Sequence, residues 1–207
     1  MGRVVQSLME RVHAPVYASR LRALVRCITP HLQDGDQVLD VGCGFGALGK
    51  AILDAPSCPR GVRFKGLERV SRGSALIDGE TYDGLTIPFA DRTYDVVILA
   101  DVLHHEADPD RLLRECIRVS RRLLIIKDHQ RRGFFARQRL ALLDWAANSP
   151  YGVPCLYQYR TSSEWAASHR RHSLVVEQEL TAMSLYPVGL NWLFGGGLHY
   201  FAALRVP

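Results

Sequence analysis

Apolar residues recur at helical spacing over the start of the chain and then in short continuous runs. In the N-terminal segment they lie three or four residues apart, which predicts two amphipathic helices that are separated near Pro15 and stopped by Pro30. A short apolar run at 37–41 ends in glycines and predicts a buried strand, and a helix is expected at about 48–54. The chain therefore begins with helices and enters a strand–helix order.

This alternation continues through the middle of the chain. Strands are predicted at 62–68, 94–101 and 122–127, and Asp108 followed by Pro109 predicts a helix start between the last two. Strands that alternate with helices indicate βαβ crossovers. We therefore expect a Rossmann-like α/β fold, with a mostly parallel central sheet and helices on both faces.

The pattern is weaker after residue 127. A helix is predicted at 134–147, and residues 161–164 have the spacing of a capping box for a short helix that ends near His169. Two last strands, near 174–185 and 199–206, are expected to close the sheet as an antiparallel edge pair.

Composition and charge describe an ordinary globular domain. The 207 residues are 47% apolar and 23% charged, which excludes wholesale disorder and fits one domain. The net charge of +5 comes almost entirely from arginine, without a long basic run, so we interpret it as a solvated surface. A nucleic-acid or membrane footprint is the less favoured alternative.

Cysteine usage and hydropathy indicate a reducing compartment. The five cysteines are scattered and form no C-x-x-C pair, so neither a disulfide framework nor a zinc site is indicated, and we expect no metal. No stretch approaches the roughly 20 apolar residues of a membrane span, and the N-terminus has no signal-peptide core. We predict a cytoplasmic protein.

The strongest local signal is the glycine-rich turn after the first strand. Gly42, Gly44 and Gly46 alternate there, so the backbone can approach a ligand closely and adopt positive φ. A turn at the carboxyl end of the first strand is where open α/β sheets bind nucleotides. The residues from Gly44 to Gly49 also satisfy G-x-G-x-x-G, so the turn alone fits a dinucleotide as well.

Two acidic residues bear on the choice of nucleotide. Asp40 precedes the turn, where a carboxylate favours the cationic amino-acid end of S-adenosylmethionine (SAM) and disfavours a pyrophosphate. Glu68, at the end of the second strand, suits the ribose hydroxyls of either ligand and does not discriminate; a solvated strand-end carboxylate is its structural alternative.

Over residues 37–128 the sequence resembles the class I SAM-dependent methyltransferases, more narrowly the small-molecule type (type 11-like domains) that includes the ubiquinone and menaquinone enzymes. LDVGCGFG is similar to the family's first motif, and Glu68 lies where the family has its ribose-binding acid. Asp83 lies where the family has the acid that pairs with adenine, and it is followed by I-P-F and D-x-x-Y-D. Glu68-Arg69 replaces the commoner D-x-S, and the usual P-G-G turn before strand five is absent. The resemblance assigns SAM binding to Asp40, Gly42, Cys43, Gly44, Gly46, Glu68, Asp83, Gly84 and Asp101.

The resemblance also implies how one domain is organised. It predicts an N-terminal helical cap at 1–32, a SAM-binding core at 37–128 and an acceptor-side, sheet-closing part at 129–207. It implies methyl transfer to O, C or N of a small-molecule acceptor, in a crevice at the carboxyl ends of the strands. Nucleic acid is not the expected partner, and weak self-association stays open.

Titratable side chains at the ends of the fourth and fifth strands are the catalytic candidates. Because SAM carries an activated methyl group, alignment is the main expected source of rate, and a general base adds to it when the acceptor carries a proton. We choose His105 as base, Asp101 to orient the methionine end and His129 as an acceptor contact; a structural role is the alternative for each. His104 and Asp128 are neighbouring candidates, and Tyr17, Trp145, Tyr157 and Tyr159 are candidates for the wall of an acceptor pocket.

Three other functions remain alternatives. An NAD(P)-binding oxidoreductase could use the same glycine turn, but no Tyr-x-x-x-Lys pair follows it. A non-catalytic SAM-binding module would share the whole cofactor site. An RNA methyltransferase would use the arginine clusters. The segment 148–151 superficially resembles an N-P-P-Y element but follows the fifth strand, so DNA adenine or glutamine methylation loses support.

Overall fold

The computed structural model describes residues 3–70, 76–148 and 155–207, and their strands form one seven-stranded sheet in the order β3-β2-β1-β4-β5-β7-β6. The strands are β1 Gln37–Val41, β2 Arg63–Glu68, β3 Asp78–Thr81, β4 Tyr94–Ala100, β5 Ser120–His129, β6 Val175–Leu180 and β7 His199–Arg205. The helices are α1 Arg3–Ile28, α2 Ala47–Leu53, α3 Pro109–Val119, α4 Ala136–Asn148, α5 Ser162–Arg171 and α6 Val188–Phe194. Single 3₁₀ turns cover Thr29–His31 and Leu103–His105.

The predicted fold class is confirmed. Strands β1 to β5 pair in parallel, whereas β7 is antiparallel to β5 and β6 is antiparallel to β7. The predicted C-terminal pair is therefore present, with β7 inside the sheet and the shorter β6 at its edge. The apolar run of β4 is almost wholly buried because a parallel strand is covered on both faces.

One local expectation was wrong, and two elements were not expected. Pro15 does not divide the N-terminal segment, and α1 is continuous from Arg3 to Ile28. A proline removes one N–H donor and can kink a helix without ending it, provided the residues on both sides favour the helix. Neither β3 nor α6 was expected, because β3 is a fully exposed four-residue edge strand and α6 is a short apolar turn beside glycines.

The core lies in two layers, one on each face of the sheet. Alternate residues of β4 divide between them: Val97 and Leu99 join the layer with α3 and Trp165, and Val96 and Ile98 join the layer with α1 and α2. Because β1, β2, β4 and β5 run in the same direction, their carboxyl ends meet at one edge. The glycine turn and the catalytic candidates all lie on that edge.

Candidate functional site

The glycine turn combines tight packing with one open position. Gly42, Gly44 and Gly46 have φ of 72°, 58° and 78°. A Cβ on Gly42 would lie 2.5 Å from Val102, and one on Gly46 would lie 2.5 Å from Ile77, so both glycines are needed for packing. A Cβ on Gly44 would meet nothing within 4 Å. Gly44 is therefore the glycine of this turn at which a side chain would meet open space.

Two carboxylates border the turn and differ in their hydrogen bonding. Glu68 accepts the N–H of Gly44 at 2.9 Å and that of Arg69 at 2.8 Å, so it ties the turn to the end of β2. Asp40 is 2% exposed, and its Oδ2 atom has no hydrogen-bond partner among the described residues. Burial, reinforced by Glu68, raises the pKa of Asp40 to about 7. A cationic ligand would satisfy this orphaned oxygen, and SAM carries both a sulfonium and an ammonium group.

Cys43 is a packing residue of the turn. Its sulfur lies 2.7 Å from where a Cβ on Gly66 would stand, so the side chain fills the space over β2 that this glycine leaves. Burial, with Asp40 and Glu68 nearby, raises the pKa of the Cys43 thiol to about 12. The thiol is therefore protonated at neutral pH and is not a nucleophile.

The adenine-side candidates are in an exposed turn beside β2. Asp83 accepts the N–H groups of Leu85 at 2.7 Å and Thr86 at 2.9 Å, and these bonds lower its pKa. Arg69 donates to the carbonyl of Gly84, which joins this turn to the end of β2. The structure thus places the turn that contains Asp83 and Gly84 next to Glu68. The carboxylate of Asp83 closes that turn through its own hydrogen bonds.

Asp101 forms a partly buried ion-pair cluster. It follows β4 with a φ of 60°, uncommon for a residue other than glycine, and it pairs with Arg20 of α1 at 2.6 Å and with Lys127 of β5. Although burial opposes ionisation, Lys127 and Arg20 hold the pKa of Asp101 well below its usual range. Asp101 is therefore a fixed carboxylate that joins the N-terminal helix to the sheet, and it is unsuited to act as a base.

The histidines and two further acids form what we call the His–Asp cluster: His104, His105, Asp128, His129 and Asp144. Asp128 accepts from His104 Nδ1 at 2.6 Å and from the N–H of His129 at 2.6 Å. Asp144 of α4 places its Oδ1 atom 3.7 Å from Nε2 of both His104 and His105. The cluster thus joins the 3₁₀ turn after β4, the end of β5 and α4.

The His–Asp cluster has a defined distribution of protons. Burial alone would lower the pKa of His104, but Asp128 and Asp144 outweigh it and raise that pKa to about 10. Burial and the nearby His104 hold the pKa of His129 well below its usual range. At neutral pH the cluster therefore contains an imidazolium at His104 and a neutral imidazole at His129.

The family model described as "Methionine biosynthesis protein MetW" matches residues 22–146, more than half of the chain. The chain belongs to the MetW family. The matched segment contains the whole glycine turn, the two carboxylates that border it, Asp40 and Glu68, and every residue of the His–Asp cluster.

Individual relatives agree with this assignment. An uncharacterized methyltransferase of Mycobacterium sp. (strain JLS) is 34% identical over 111 residues, which are 50% of this chain and 42% of the relative. Norajmaline N-methyltransferase of Rauvolfia serpentina is 29% identical over 98 residues, 40% of this chain and 32% of that protein. The chain thus spans less than half the length of these two curated relatives.

A solved structure shows the same fold. A SAM-dependent methyltransferase of Thermotoga maritima, described as a "possible histamine N-methyltransferase", matches with a TM-score of 0.67 at 18% identity, over 98% of this chain and 94% of that one. This MetW-family chain therefore has the class I SAM-dependent methyltransferase fold, and the family resemblance read from its sequence is confirmed.

Within the part of the chain that the structure describes, two groups of three side chains have donor atoms close enough to bind a metal. They are Asp101, His104 and His129, and His104, His105 and Asp144, with all donor atoms of a group within 4.8 Å. Both groups need His104, and a histidine binds a metal only as a neutral imidazole. A metal ion at either group would have to displace the proton of His104, so its binding would depend on pH. The expectation of no metal stays a prediction.

The structure adds Arg20, which sequence reasoning missed, and gives one aromatic candidate a further role. Tyr159 is buried, and its hydroxyl donates to Asp144 Oδ2 at 2.9 Å, so it supports the His–Asp cluster. The other aromatic candidates, Tyr17, Trp145 and Tyr157, are 47%, 56% and 37% exposed. Asp144 was also missed, although one signal was available: it is the single acid within the apolar stretch from residue 140 to 147.

Proposed function

We propose that the protein is a SAM-dependent methyltransferase that acts on a proton-bearing oxygen, nitrogen or carbon of a small-molecule acceptor, as a cytoplasmic protein. One observation carries the proposal: a glycine turn with one open position lies next to a buried carboxylate whose Oδ2 lacks a hydrogen-bond partner among the described residues. The His–Asp cluster lies at the same edge of the sheet, where the acceptor would enter. The family and the fold agree with this chemistry.

The cofactor side would hold SAM through backbone and carboxylates. The turn from Gly42 to Gly46 would contact the methionine part, Asp40 its cationic groups and Glu68 the ribose, with Asp83 and Gly84 on the adenine side. When bound, SAM supplies the methyl group on a cationic sulfur, which is already activated for in-line displacement. The main task left to the protein is alignment, which is worth about 7–11 kcal/mol when two reactants are held in near-attack geometry.

On the acceptor side we assign the base to His105. Its Nε2 atom lies 3.7 Å from Asp144 Oδ1, and Tyr159 donates a hydrogen bond to that carboxylate, so the ring lies beside a fixed negative charge. The imidazole of His105 would take the proton that the acceptor atom loses when it is methylated. Asp144 would stabilise the resulting imidazolium, as an orienting carboxylate does in other His–Asp pairs.

The other cluster residues would have supporting roles. Neutral His129 can donate or accept a hydrogen bond and would contact the acceptor. His104 already carries a proton, so it would act through its charge and not as a base. Asp101 would position the methionine end through the cluster that it forms with Arg20 and Lys127.

Calorimetric titration with SAM, S-adenosylhomocysteine and NADH tests the proposal. We expect binding of the first two ligands and no binding of NADH. Gly44→Val should abolish SAM binding, because its side chain would enter the ligand space. Gly35→Val is the matched control: Gly35 also has positive φ and open surroundings but lies in the turn before β1. NADH binding without SAM binding, or equal SAM affinity in the two variants, would refute the assignment.

A further inference from the structure

Four large apolar side chains are almost fully exposed beside the crevice. Phe134 and Phe135, just before α4, are 91% and 72% exposed, and Val188 and Trp192 of α6 are 92% and 82% exposed. A folded domain rarely leaves such side chains together in water unless they bind something. We call these four residues the aromatic face.

The two segments of the aromatic face are held side by side. Arg139 of α4 donates to the carbonyl of Leu193 in α6 at 2.7 Å and to the carbonyl of Phe134 at 3.5 Å. Helices α4 and α6 also contact each other directly. One guanidinium therefore joins the loop before α4 to α6, so the aromatic side chains belong to one surface.

The chain segments that carry this surface are rich in arginine and poor in acidic residues. Residues 129–143 contain four arginines and no acid, and no acid follows Glu179 to the end of the chain. Arg131, Arg132 and Arg137 are exposed. Arg131 pairs with Glu164, whereas no ion pair involves Arg132 or Arg137 among the described residues. Exposed arginines without an ion pair among the described residues therefore flank Phe134 and Phe135 in the sequence.

We propose that the aromatic face docks on the surface of an anionic lipid bilayer. Exposed phenylalanine, tryptophan and valine would enter the interface between headgroups and acyl chains, and the arginines would contact anionic headgroups. No helix within the described ranges is long and apolar enough to cross a bilayer, so the chain would lie on the surface.

The position of the aromatic face gives this docking a consequence for the site. Phe134 follows the end of β5, and α6 leads into β7, whose first residue, His199, pairs with His129. The aromatic face therefore borders the same edge of the sheet as the His–Asp cluster. Docking would hold that edge near the lipid surface, whichever acceptor the protein uses, and it does not depend on the proposed methyl transfer.

Cosedimentation with vesicles tests the proposal. We expect binding to vesicles of phosphatidylcholine with phosphatidylglycerol, little binding to phosphatidylcholine alone, and weaker binding at high salt. The double variant Phe134→Ser, Phe135→Ser should bind at least about tenfold more weakly, because the apolar surface of two phenyl rings is lost from the interface. The control double variant Val175→Ser, Val176→Ser changes two exposed residues of the edge strand β6 and should bind like the wild type.

Tryptophan emission gives a second measurement. On vesicle binding, the emission of Trp192 should shift to shorter wavelength; the shift should persist in Trp145→Phe and disappear in Trp192→Phe. The proposal is overturned by absence of binding at every lipid composition, or by binding that the phenylalanine variants leave unchanged. It is also overturned if sedimentation equilibrium shows a lipid-independent dimer that the same variants abolish, because the face would then bind a second copy.

Discussion

Asp40→Asn should gain stability relative to the wild type as the pH rises, when both proteins are free of ligand. The same substitution should weaken SAM binding. Burial, with Glu68, raises the pKa of Asp40 from its ordinary value of 3.8 to about 7. Below pH 3.8 the carboxyl is protonated in both the folded and the unfolded chain, so its ionisation has no effect on stability. Between pH 3.8 and 7 the unfolded chain loses the proton and the folded chain keeps it, so stability falls as pH rises.

The size of this effect follows from the distance between the two pKa values. About three pH units correspond to roughly 4 kcal/mol, at about 1.4 kcal/mol per unit. The asparagine side chain does not titrate, so the free energy of unfolding of Asp40→Asn minus that of the wild type should grow by up to roughly this amount between about pH 4 and pH 7. Any constant cost of the amide group cancels, because only the change with pH is compared.

Urea denaturation of the two proteins at about pH 4.5, 5.5 and 7.5 measures the difference, and calorimetry at about pH 6 and pH 8 measures SAM binding. If Asp40 faces the cationic end of SAM, wild-type affinity rises with pH while the residual affinity of Asp40→Asn stays constant. A stability difference that does not depend on pH would refute the burial argument. Equal, pH-independent SAM affinities would refute the placement of Asp40 against the ligand.

Three further predictions concern the acceptor side. His105→Gln should lower kcat by about 10²–10⁴-fold and leave SAM affinity unchanged, as single-turnover kinetics and calorimetry would show; an unchanged kcat would remove the base. Lys127→Met should cost roughly 1.5–3 kcal/mol of unfolding free energy, because Asp101 loses one of its two cationic partners and keeps Arg20; a loss below about 1 kcal/mol in urea denaturation would contradict the ion-pair account. The raised pKa of His104 stabilises the fold below pH 6.5, and that stability is lost towards pH 10. The decline should flatten in Asp128→Asn, and an equal decline in both proteins would contradict the assignment.

The elements that carry the cofactor candidates could be predicted from the sequence because their signals are local. The glycine turn follows an apolar strand directly, and the acid at the end of β2 follows from the alternation of strands and helices. The contacts of Arg20, Asp144 and Tyr159 could not be found in this way, because their partners lie 81, 40 and 15 residues away in sequence. Only the packing of α1 and α4 onto the sheet edge brings them together. The same holds for α6, whose short apolar sequence gives no helical period.

Helix α1, which the sequence predicts as part of a helical cap, contributes a charged side chain to the candidate site. Arg20 of α1 pairs with Asp101 at 2.6 Å, and its charge also acts on Asp40, opposing the rise in the pKa of that carboxyl. The helix therefore contributes a positive charge between the carboxylate proposed for SAM and the carboxylate that joins β4 to β5. Arg20→Met should raise the pKa of Asp40 further and move the pH dependence of SAM binding upward. A titration of SAM affinity against pH that is identical in wild type and Arg20→Met would show instead that α1 only covers the fold.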